Sequence, residues 1–339
     1  MYEAFFGLRD RPFDLTPNPR YLVLTETHRE VLSTLEYAIA SRTGVTLLVG
    51  EAGSGKTTLI RSAMQRQSGR IHCVHLHNPV LSREEFFETL ASTFELSDRA
   101  RQSKAVLLAE LDSLLRKRSA ADETSVLIVD EAQSLPLPLL EEIRLLANIE
   151  TDDRKLLSLI LAGQPELAER LDDQELRQLK QRVALRCDLR ALTRAETGGY
   201  LAGRIQIAGG VGATIFTQQA VAAIHEHAAG IPRTISVLAD NALLGGFGAG
   251  ERPVSSHTVQ TVCRDFAFTR STGAGSTRNG SAHGHANGKP ADDGNGLLDL
   301  KRRLAAYDDG TGVSAGAAPA RLLTDKPPAR RKRFPFFWS

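Results

Sequence analysis

The sequence predicts an α/β protein in which a parallel sheet is covered by helices on both faces and is followed by a small all-α domain and a tail without a folded core. Short apolar runs alternate with helix-compatible segments up to about residue 192, which is typical of parallel strands joined by helical crossovers. From Thr193 onward, helix signals follow one another without intervening apolar runs. From Ser271 to about Asn295 there are almost no apolar residues, so a core cannot form there. We therefore predict domains at residues 1–192, 193–268 and 269–339.

The strands and helices of the first domain are predicted in order from the apolar runs and the segments between them. A turn-rich N-terminal stretch precedes a helix in which Leu32, Leu35 and Ile39 share one buried face. Pro12 and Phe13 in that stretch either form an apolar wall for a bound base or pack against the core. The predicted strands are 45–49, 71–76, 126–129, 156–161 and 183–189, and the predicted helices begin at Thr58 or lie near residues 83–94, 104–118 and 139–149.

The stretch between the first strand and the first crossover helix has the pattern G-x-x-x-x-G-K-[ST]. Its glycines let the backbone form a nest whose N–H groups surround phosphate oxygens, and the helix that follows adds a partial positive charge. We expect Lys56 to reach the β- and γ-phosphates of ATP and the Thr57 hydroxyl to bind Mg²⁺. The predicted nucleotide-binding residues are Gly50, Glu51, Ala52, Gly53, Ser54, Gly55, Lys56, Thr57 and Thr58.

A second chemical feature stands at the end of the predicted strand 126–129. The strand is followed directly by Asp130 and Glu131, and ligands of parallel sheets bind at the carboxyl ends of the strands. We expect Asp130 to hold Mg²⁺ and Glu131 to polarise the water that attacks the γ-phosphate. These two carboxylates convert a prediction of ATP binding into a prediction of ATP hydrolysis.

Three further polar residues are candidates for contacts with the phosphates. Gln164 follows the strand 156–161 and would either orient water or serve as a simple turn residue. Arg182 precedes the fifth strand and would either act on the nucleotide of a neighbouring subunit or be a solvated surface residue. Arg233 lies in Gly230-Ile231-Pro232-Arg233, at the first turn of a helix of the second domain, where proline is tolerated. From there it can reach back to the nucleotide.

Charge and composition restrict the partners. The formal net charge is +2, but residues 301–339 hold nine Lys and Arg against three Asp and Glu, so the preceding body is slightly acidic. A broad nucleic-acid footprint is therefore not predicted. Three cysteines without a C-x-x-C pair, together with no signal peptide and no apolar run of membrane-spanning length, predict a soluble cytoplasmic chain.

Two histidines near the end of a predicted strand and the basic, aromatic C-terminal tail could also bind ligands or partners. His75 and His77 share one face of a strand, but no carboxylate or cysteine stands at ligand spacing in the sequence, so we interpret them as polar surface residues. The final residues, Arg330-Arg331-Lys332-Arg333-Phe334-Pro335-Phe336-Phe337-Trp338, combine cations with aromatic rings. They predict either peripheral contact with an anionic membrane surface or a basic tail without a fixed partner.

As a set, these motifs resemble the AAA+ ATPases of the ExeA/GspA type, a secretion-associated group that includes exosortase-linked members. The resemblance covers roughly residues 1–268. It is carried by Tyr2-Glu3-Ala4-Phe5-Phe6-Gly7-Leu8, Pro12-Phe13, Thr27-His28-Arg29-Glu30, the phosphate loop, the strand ending at Asp130-Glu131, Leu161-Ala162-Gly163-Gln164-Pro165-Glu166-Leu167 and Gly230-Ile231-Pro232-Arg233.

The resemblance implies a P-loop NTPase fold with a helical lid. It implies Walker A and Walker B motifs, sensor 1 at Gln164, an arginine finger at Arg182 and sensor 2 at Arg233. It also implies a homo-oligomer that hydrolyses ATP with a protein partner in a secretion, pilus or polysaccharide export system at the inner membrane. A DNA-associated helper or initiator ATPase and a slow nucleotide-dependent switch stay open as alternatives.

Overall fold

Five parallel strands form the central sheet. In the computed structural model, residues 1–14, 19–67, 69–77 and 81–265 are described. Every neighbouring pair of strands is parallel, and the order across the sheet is β2-β3-β4-β1-β5. The α/β prediction is confirmed. The strands are β1 Val45–Gly50, β2 Ile71–Leu76, β3 Thr124–Val129, β4 Leu157–Gly163 and β5 Val183–Leu189.

Helices connect the strands and continue after the last one. Those that precede or join the strands are α1 Tyr2–Phe6, α2 Glu26–Ala40, α3 Lys56–Gln65, α4 Arg83–Thr93, α5 Asp98–Gln102, α6 Lys104–Ala120, α7 Leu137–Leu146, α8 Pro165–Leu171 and α9 Arg177–Lys180. Those that follow the sheet are α10 Arg194–Ile207, α11 Gln218–Ala228, α12 Pro232–Ala249 and α13 Ser256–Asp265.

The sheet is covered on both faces because alternate side chains of its central strands point to opposite sides. Leu127 and Val129 pack in an apolar core with α4, α6 and α7. Val126 and Ile128, their neighbours in β3, pack in a separate core with α2 and α3. All residues of β1, β3 and β4 are buried. The continuous apolar runs in the sequence therefore mark strands that are buried on both faces.

Some predicted boundaries are wrong by a few residues, and each shift has a local reason. The first crossover helix begins at Lys56 and not at Thr58, because Gly55, at φ 107°, is its N-cap and the last residue outside the helix. The strand β4 extends to Gly163, two residues beyond the predicted end. Helices α5, α8 and α9 have seven residues or fewer, which is too short for a clear hydrophobic period.

The helices after the sheet share an apolar core with the N-terminal segment. Tyr2, Phe6 and Phe13 are buried in the same cluster as Leu201 and Leu238. Phe13 is 1% exposed, and its ring centroid lies 6.3 Å from that of Phe216. Of the two interpretations of Phe13, packing in a core is the one observed. The N-terminal residues therefore attach to the helices α10–α13.

Signals for the starts of these helices are confirmed. Thr193 and Glu196 form the predicted capping box at the start of α10, with both reciprocal hydrogen bonds present. Thr217 caps α11 by accepting a hydrogen bond from the backbone N–H of Ala220. Pro232 occupies the first position of α12.

Within residues 1–14, 19–67, 69–77 and 81–265, no helix has the length and apolar character needed to cross a bilayer. The predicted linker from Ser271, the tail at residues 330–338 and the third predicted domain at 269–339 lie outside the described residues.

Gly230 lies in the turn between α11 and α12, against the backbone of Leu192, and this contact leads to a prediction about stability. Its backbone has φ +74°, and a Cβ atom there would lie 2.2 Å from the carbonyl oxygen of Leu192. That clash also disturbs the 2.9 Å hydrogen bond from Leu192 N–H to the Gly230 carbonyl. We expect Gly230→Ala to lower the free energy of unfolding by at least about 2 kcal/mol.

Urea unfolding measures this loss, and Gly199→Ala provides a matched control. Gly199 lies in α10, and a Cβ there has no atom within 4 Å among the described residues. Alanine at a helical position is expected to leave stability unchanged or raise it by up to about 1 kcal/mol. Equal stability of Gly230→Ala and the wild type would contradict the close contact.

Candidate nucleotide site

A cleft of about 330 Å³ lies where the phosphate loop faces the N-terminal segment and helices α10 and α12. This volume is at the lower end of the range of ligand pockets in proteins. Its lining consists of Asp14, Tyr21, Leu22, Val23, His28, Gly53, Ser54, Gly55, Lys56, Thr57, Thr58, Arg61, Glu131, Tyr200, Arg204, Pro232, Arg233 and Ser236. The apolar residues Leu22 and Val23 of the N-terminal segment and the residues of the phosphate loop therefore line one pocket.

The phosphate loop has the backbone that its glycines predict. Gly53 and Gly55 have φ values of +80° and +107°, a region that only glycine adopts without strain. Lys56 is 4% exposed, and its ammonium donates hydrogen bonds to the carbonyl oxygens of Gly50 at 2.7 Å and Glu51 at 3.1 Å. Burial lowers the pKa of Lys56, while the carboxylates of Glu131 and Asp130 act in the opposite direction.

The predicted magnesium ligands meet across two elements. Thr57, in the first turn of α3, donates a 2.6 Å hydrogen bond from Oγ1 to Oδ2 of Asp130 at the end of β3. Asp130 is 3% exposed. Burial by itself raises the pKa of Asp130, but His75, the Thr57 hydroxyl and the backbone N–H of Glu131 outweigh burial and lower it. A buried, ionised carboxylate beside a hydroxyl oxygen is a donor pair that suits Mg²⁺.

Glu131 is held in a strained and specific position. Its φ of 52° is in the left-handed region, which non-glycine residues seldom adopt and which is enriched at functional sites. Its Oε2 accepts a 2.6 Å hydrogen bond from Nε2 of Gln133. The other side of the same amide, Oε1, accepts a 3.1 Å hydrogen bond from the backbone N–H of Gln164. Gln133 therefore links Glu131 to the end of β4, a role that the sequence did not reveal.

Gln164 lies at the carboxyl end of β4, between the ends of β3 and β1 in the sheet order. It is the N-cap of α8. Its side chain is outside the described lining of the cleft, so the structure places Gln164 near the phosphate loop without bringing its amide into the pocket. The role of Gln164 toward the γ-phosphate stays a prediction.

Arg233 reaches the phosphate loop from the helical part of the chain. Its backbone N–H donates a 3.2 Å hydrogen bond to the carbonyl oxygen of Gly53, and its side chain lines the cleft. A Cβ atom on Gly53 would lie 2.7 Å from Cβ of Arg233. The glycine at this position of the loop is therefore needed for the close approach of α12.

Arg182 is not brought into the cleft of its own chain. It directly precedes β5, whose seven residues run toward the phosphate loop. At about 3.3 Å per residue, Arg182 lies roughly 20 Å from the loop, at the amino end of the sheet. Arg182 is therefore out of reach of the nucleotide site of its own chain, and its role toward the nucleotide of a neighbouring subunit stays a prediction.

Sequence reasoning missed several residues of the cleft. Arg204 donates hydrogen bonds to the carbonyl oxygen of Pro12 at 2.6 Å and to the Tyr200 hydroxyl at 2.7 Å. Its guanidinium lies over the rings of Phe13, Tyr21 and Tyr200 at 5.3–5.9 Å, a cation–π arrangement. These residues come from three separate segments, and their spacing in the sequence carries no motif.

His28, another missed residue, ties the helix α2 to the phosphate loop. It is buried, its Nδ1 shares a 2.6 Å hydrogen bond with Oγ1 of Thr25, and its Nε2 lies 3.4 Å from the carbonyl oxygen of Ser54. Burial lowers the pKa of His28 below its ordinary value of 6.5. The folded protein therefore binds this proton more weakly than the unfolded chain does.

This shift predicts how stability depends on pH. The contribution of neutral His28 is complete above about pH 7, and it decreases as the pH falls through 6.5 toward the lower folded-state pKa. We expect His28→Gln to reduce the loss of unfolding free energy between about pH 7.5 and about pH 5.5. Urea unfolding of the variant and of the wild type at both pH values measures it. An unchanged pH dependence in His28→Gln would contradict this role.

The interpretation of His75 and His77 as polar surface residues is wrong in one respect. The side chain of His75 is only 7% exposed, and its Nε2 lies 3.8 Å from Oδ2 of Asp130. No carboxylate stands near the two histidines in the sequence, because Asp130 follows the end of β3, fifty-five residues after His75, and the sheet places β3 beside β2. A carboxylate thus does accompany the two histidines.

Comparisons with known proteins identify a family match and a relative. Residues 39–171 match the family described as AAA domain. General secretion pathway protein A of Aeromonas hydrophila is 36% identical over 273 residues, which are 80% of this chain and 50% of that protein. The chain therefore spans about half the length of this relative.

Solved structures show the same fold at low sequence identity. The ORC2 protein of Aeropyrum pernix, in ADPNP and ADP complexes, aligns with a TM-score of 0.55 at 18% identity, covering 75% of this chain and 71% of that chain. A Drosophila ORC structure bound to DNA aligns with a TM-score of 0.53 at 18% identity, covering 76% and 66%. At this identity the likeness shows the fold alone. The matched domain and the sequence relationship together show that the chain is an AAA-type protein related to general secretion pathway protein A.

Proposed function

We propose that this chain binds and hydrolyses ATP in the cleft between the phosphate loop and the helices α10 and α12. The observation that carries the proposal is the 2.6 Å contact between Thr57 and Asp130, with Lys56 and Glu131 lining the same cleft. A phosphate-binding loop, a pair of metal ligands and a carboxylate base are the parts that phosphoryl transfer to water requires.

Each residue has a separate role in this proposal. The backbone N–H groups of the loop and the ammonium of Lys56 bind the phosphates and offset their charge. Thr57 and Asp130 are the assigned ligands of Mg²⁺, whose charge adds to this compensation when it is bound. Glu131 accepts the proton of the attacking water, and Gln133 holds the Glu131 carboxylate in place through their 2.6 Å hydrogen bond.

Arg233 and the apolar part of the cleft complete the proposed site. Leu22 and Val23 line the pocket beyond the phosphate loop, and we assign the nucleotide base to this apolar region. Arg233 contributes its positive charge from α12, as expected for a sensor 2 residue. The hydrogen bond from the Arg233 backbone N–H to the Gly53 carbonyl oxygen joins α12 to the phosphate loop.

The finer proposal concerns what the hydrolysis does. The relationship with general secretion pathway protein A supports a role in assembling or powering a secretion or export system at the inner membrane. The position of Arg182, roughly 20 Å from its own phosphate loop, supports a homo-oligomer in which one subunit completes the site of the next. A protein partner in the export complex is part of this proposal. Both alternative functions, a DNA-associated ATPase and a slow switch, lack an observation that favours them.

Mixing two inactive variants tests both hydrolysis and assembly. Lys56→Ala removes the nucleotide site, whereas Arg182→Ala keeps that site and removes the contribution to the neighbour. We expect each variant alone to lose most ATP turnover, and we expect their mixture to recover part of it. In mixed oligomers, an intact phosphate loop of one variant meets the intact Arg182 of the other.

The possible results separate the two claims. A wild-type chain without Mg²⁺-dependent turnover would contradict hydrolysis itself. Wild-type turnover, with a mixture no more active than the sum of its parts, would contradict only the shared site. Lys180→Ala is the matched control, because Lys180 is close to Arg182 in sequence and pairs on the surface with Asp172. This variant is expected to keep wild-type turnover.

A further inference from the structure

His75, His77 and Asp130 come together at the edge where β2 and β3 end. His75 lies in β2 and His77 just after its end, and their ring centroids are 3.7 Å apart, so the two side chains lie on the same side. The register pairs His75 with Ile128 of β3, and Asp130, two residues after Ile128, lies on that side too. One nitrogen from each imidazole and one carboxylate oxygen of Asp130 all lie within 4.8 Å of one another.

His75 provides an independent sign that this group binds a ligand. Its side chain is 7% exposed, and its Nε2 has no hydrogen-bond partner within the part of the chain that the structure describes. A buried polar atom without a partner is destabilising, and such atoms are rare in native proteins. The imidazole of His77 lies against it, with ring centroids 3.7 Å apart. Two imidazole nitrogens and a carboxylate oxygen are thus close enough together to be candidate ligands of one ion.

We propose that His75, His77 and Asp130 bind a divalent d-block cation, with Zn²⁺ or Co²⁺ as the matching ions. Imidazole nitrogen with carboxylate oxygen suits zinc, which takes three protein ligands and a water at open sites. Mg²⁺ favours oxygen ligands alone, so the two imidazoles discriminate against it. Around a tetrahedral zinc the ligand atoms stand roughly 3.3 Å apart. The ligand atoms lie within 4.8 Å of one another, so rotamer adjustments that shorten the longest separation by about 1.5 Å bring them to this spacing.

This cation site shares Asp130 with the proposed magnesium site. Thr57 donates its hydrogen bond to Oδ2 of Asp130, and the same oxygen lies 3.8 Å from Nε2 of His75. A cation bound by the histidines therefore takes a carboxylate that ATP hydrolysis needs. This competition rests on the proposed function, whereas cation binding itself does not.

Zinc binding to the nucleotide-free full chain tests the site. The titration uses Zn²⁺ against a chromogenic chelator, on untagged protein in which His283 and His285 are replaced by Asn so that they cannot supply ligands. We expect one Zn²⁺ per chain, and at least about tenfold weaker binding in His75→Asn and His77→Asn. His77 is exposed, so His77→Asn provides a result even if His75→Asn fails to fold.

His72→Asn is the matched control. His72 lies on the same strand, but its Nε2 is 2.9 Å from a carboxylate oxygen of Glu123 at the far end of β2, so zinc affinity should be unchanged. No zinc binding by the wild type, or wild-type affinity in His77→Asn, would overturn the site. In a second assay, Zn²⁺ is expected to inhibit ATP turnover of the wild type and to inhibit His77→Asn at least about tenfold less strongly. Zinc that binds without inhibiting would overturn only the competition.

Discussion

Replacement of Glu131 by Gln is expected to lower ATP turnover by about 10²–10⁴-fold while the chain still binds ATP. The amide cannot accept the proton of the attacking water, so the chemical step loses its base. The change is nearly isosteric, and the amide oxygen of Gln can still accept the hydrogen bond that Gln133 donates at 2.6 Å. We expect the fold and the position of the side chain to be kept.

Steady-state phosphate release and binding of a fluorescent ATP analogue, measured on the same preparation, distinguish chemistry from affinity. Glu166→Gln is the control, because Glu166 is an exposed carboxylate close enough to influence Lys56 but it lies on α8. That variant should turn over ATP at close to the wild-type rate. Wild-type turnover in Glu131→Gln would show that the base has been assigned incorrectly.

Replacement of Lys56 by Ala should weaken ATP binding by at least about thirtyfold, or about 2 kcal/mol. The ammonium lies inside the loop, 2.7 Å from the carbonyl oxygen of Gly50, so it is positioned next to the phosphates that the loop surrounds. Its loss removes charge-assisted hydrogen bonds of about 1.5–3 kcal/mol each from bound ATP.

Isothermal titration calorimetry with ATP and Mg²⁺ measures this affinity, and urea unfolding in parallel verifies that the variant is folded. Lys104→Ala is the matched control. Lys104 pairs with Glu142 at 2.7 Å and is not part of the cleft lining, so its removal should leave ATP affinity unchanged. Unchanged affinity in a folded Lys56→Ala would exclude the loop as the main phosphate-binding element.

The parts of the site that the sequence predicts are those whose residues are close together in the chain. The phosphate loop is one run of eight residues, and its glycine conformations follow from the pattern itself. Asp130 and Glu131 follow a strand made of apolar residues, so their place at a strand end follows from the run before them. Arg233 was recognised because a proline marks the first turn of its helix.

Other contacts depend on which elements the fold places side by side. Gln133 bridges Glu131 and the backbone of Gln164, but nothing in its local sequence indicates a partner thirty-one residues away. The same holds for His28, whose partner Ser54 belongs to the next loop. Phe13 was equally compatible with a base-binding wall and a core. Only the packing against Phe216 decides between them.

The sheet order explains why the histidine cluster was missed. His75 and Asp130 are separated by fifty-five residues, and their proximity requires β2 to pair with β3 in the observed register. Arg182 shows the converse case, because it lies roughly 20 Å from the phosphate loop of its own chain. Its proposed role requires a second copy of the chain.

Single-turnover hydrolysis tests the central proposal most directly. Radiolabelled ATP is mixed with an excess of the purified chain in the presence of Mg²⁺, and bound nucleotide and free phosphate are separated over time. We predict that the bound ATP is converted to ADP and phosphate, and that chelation of Mg²⁺ stops the conversion. Recovery of the bound ATP unchanged would show that the cleft holds the nucleotide without hydrolysing it, which contradicts the proposal.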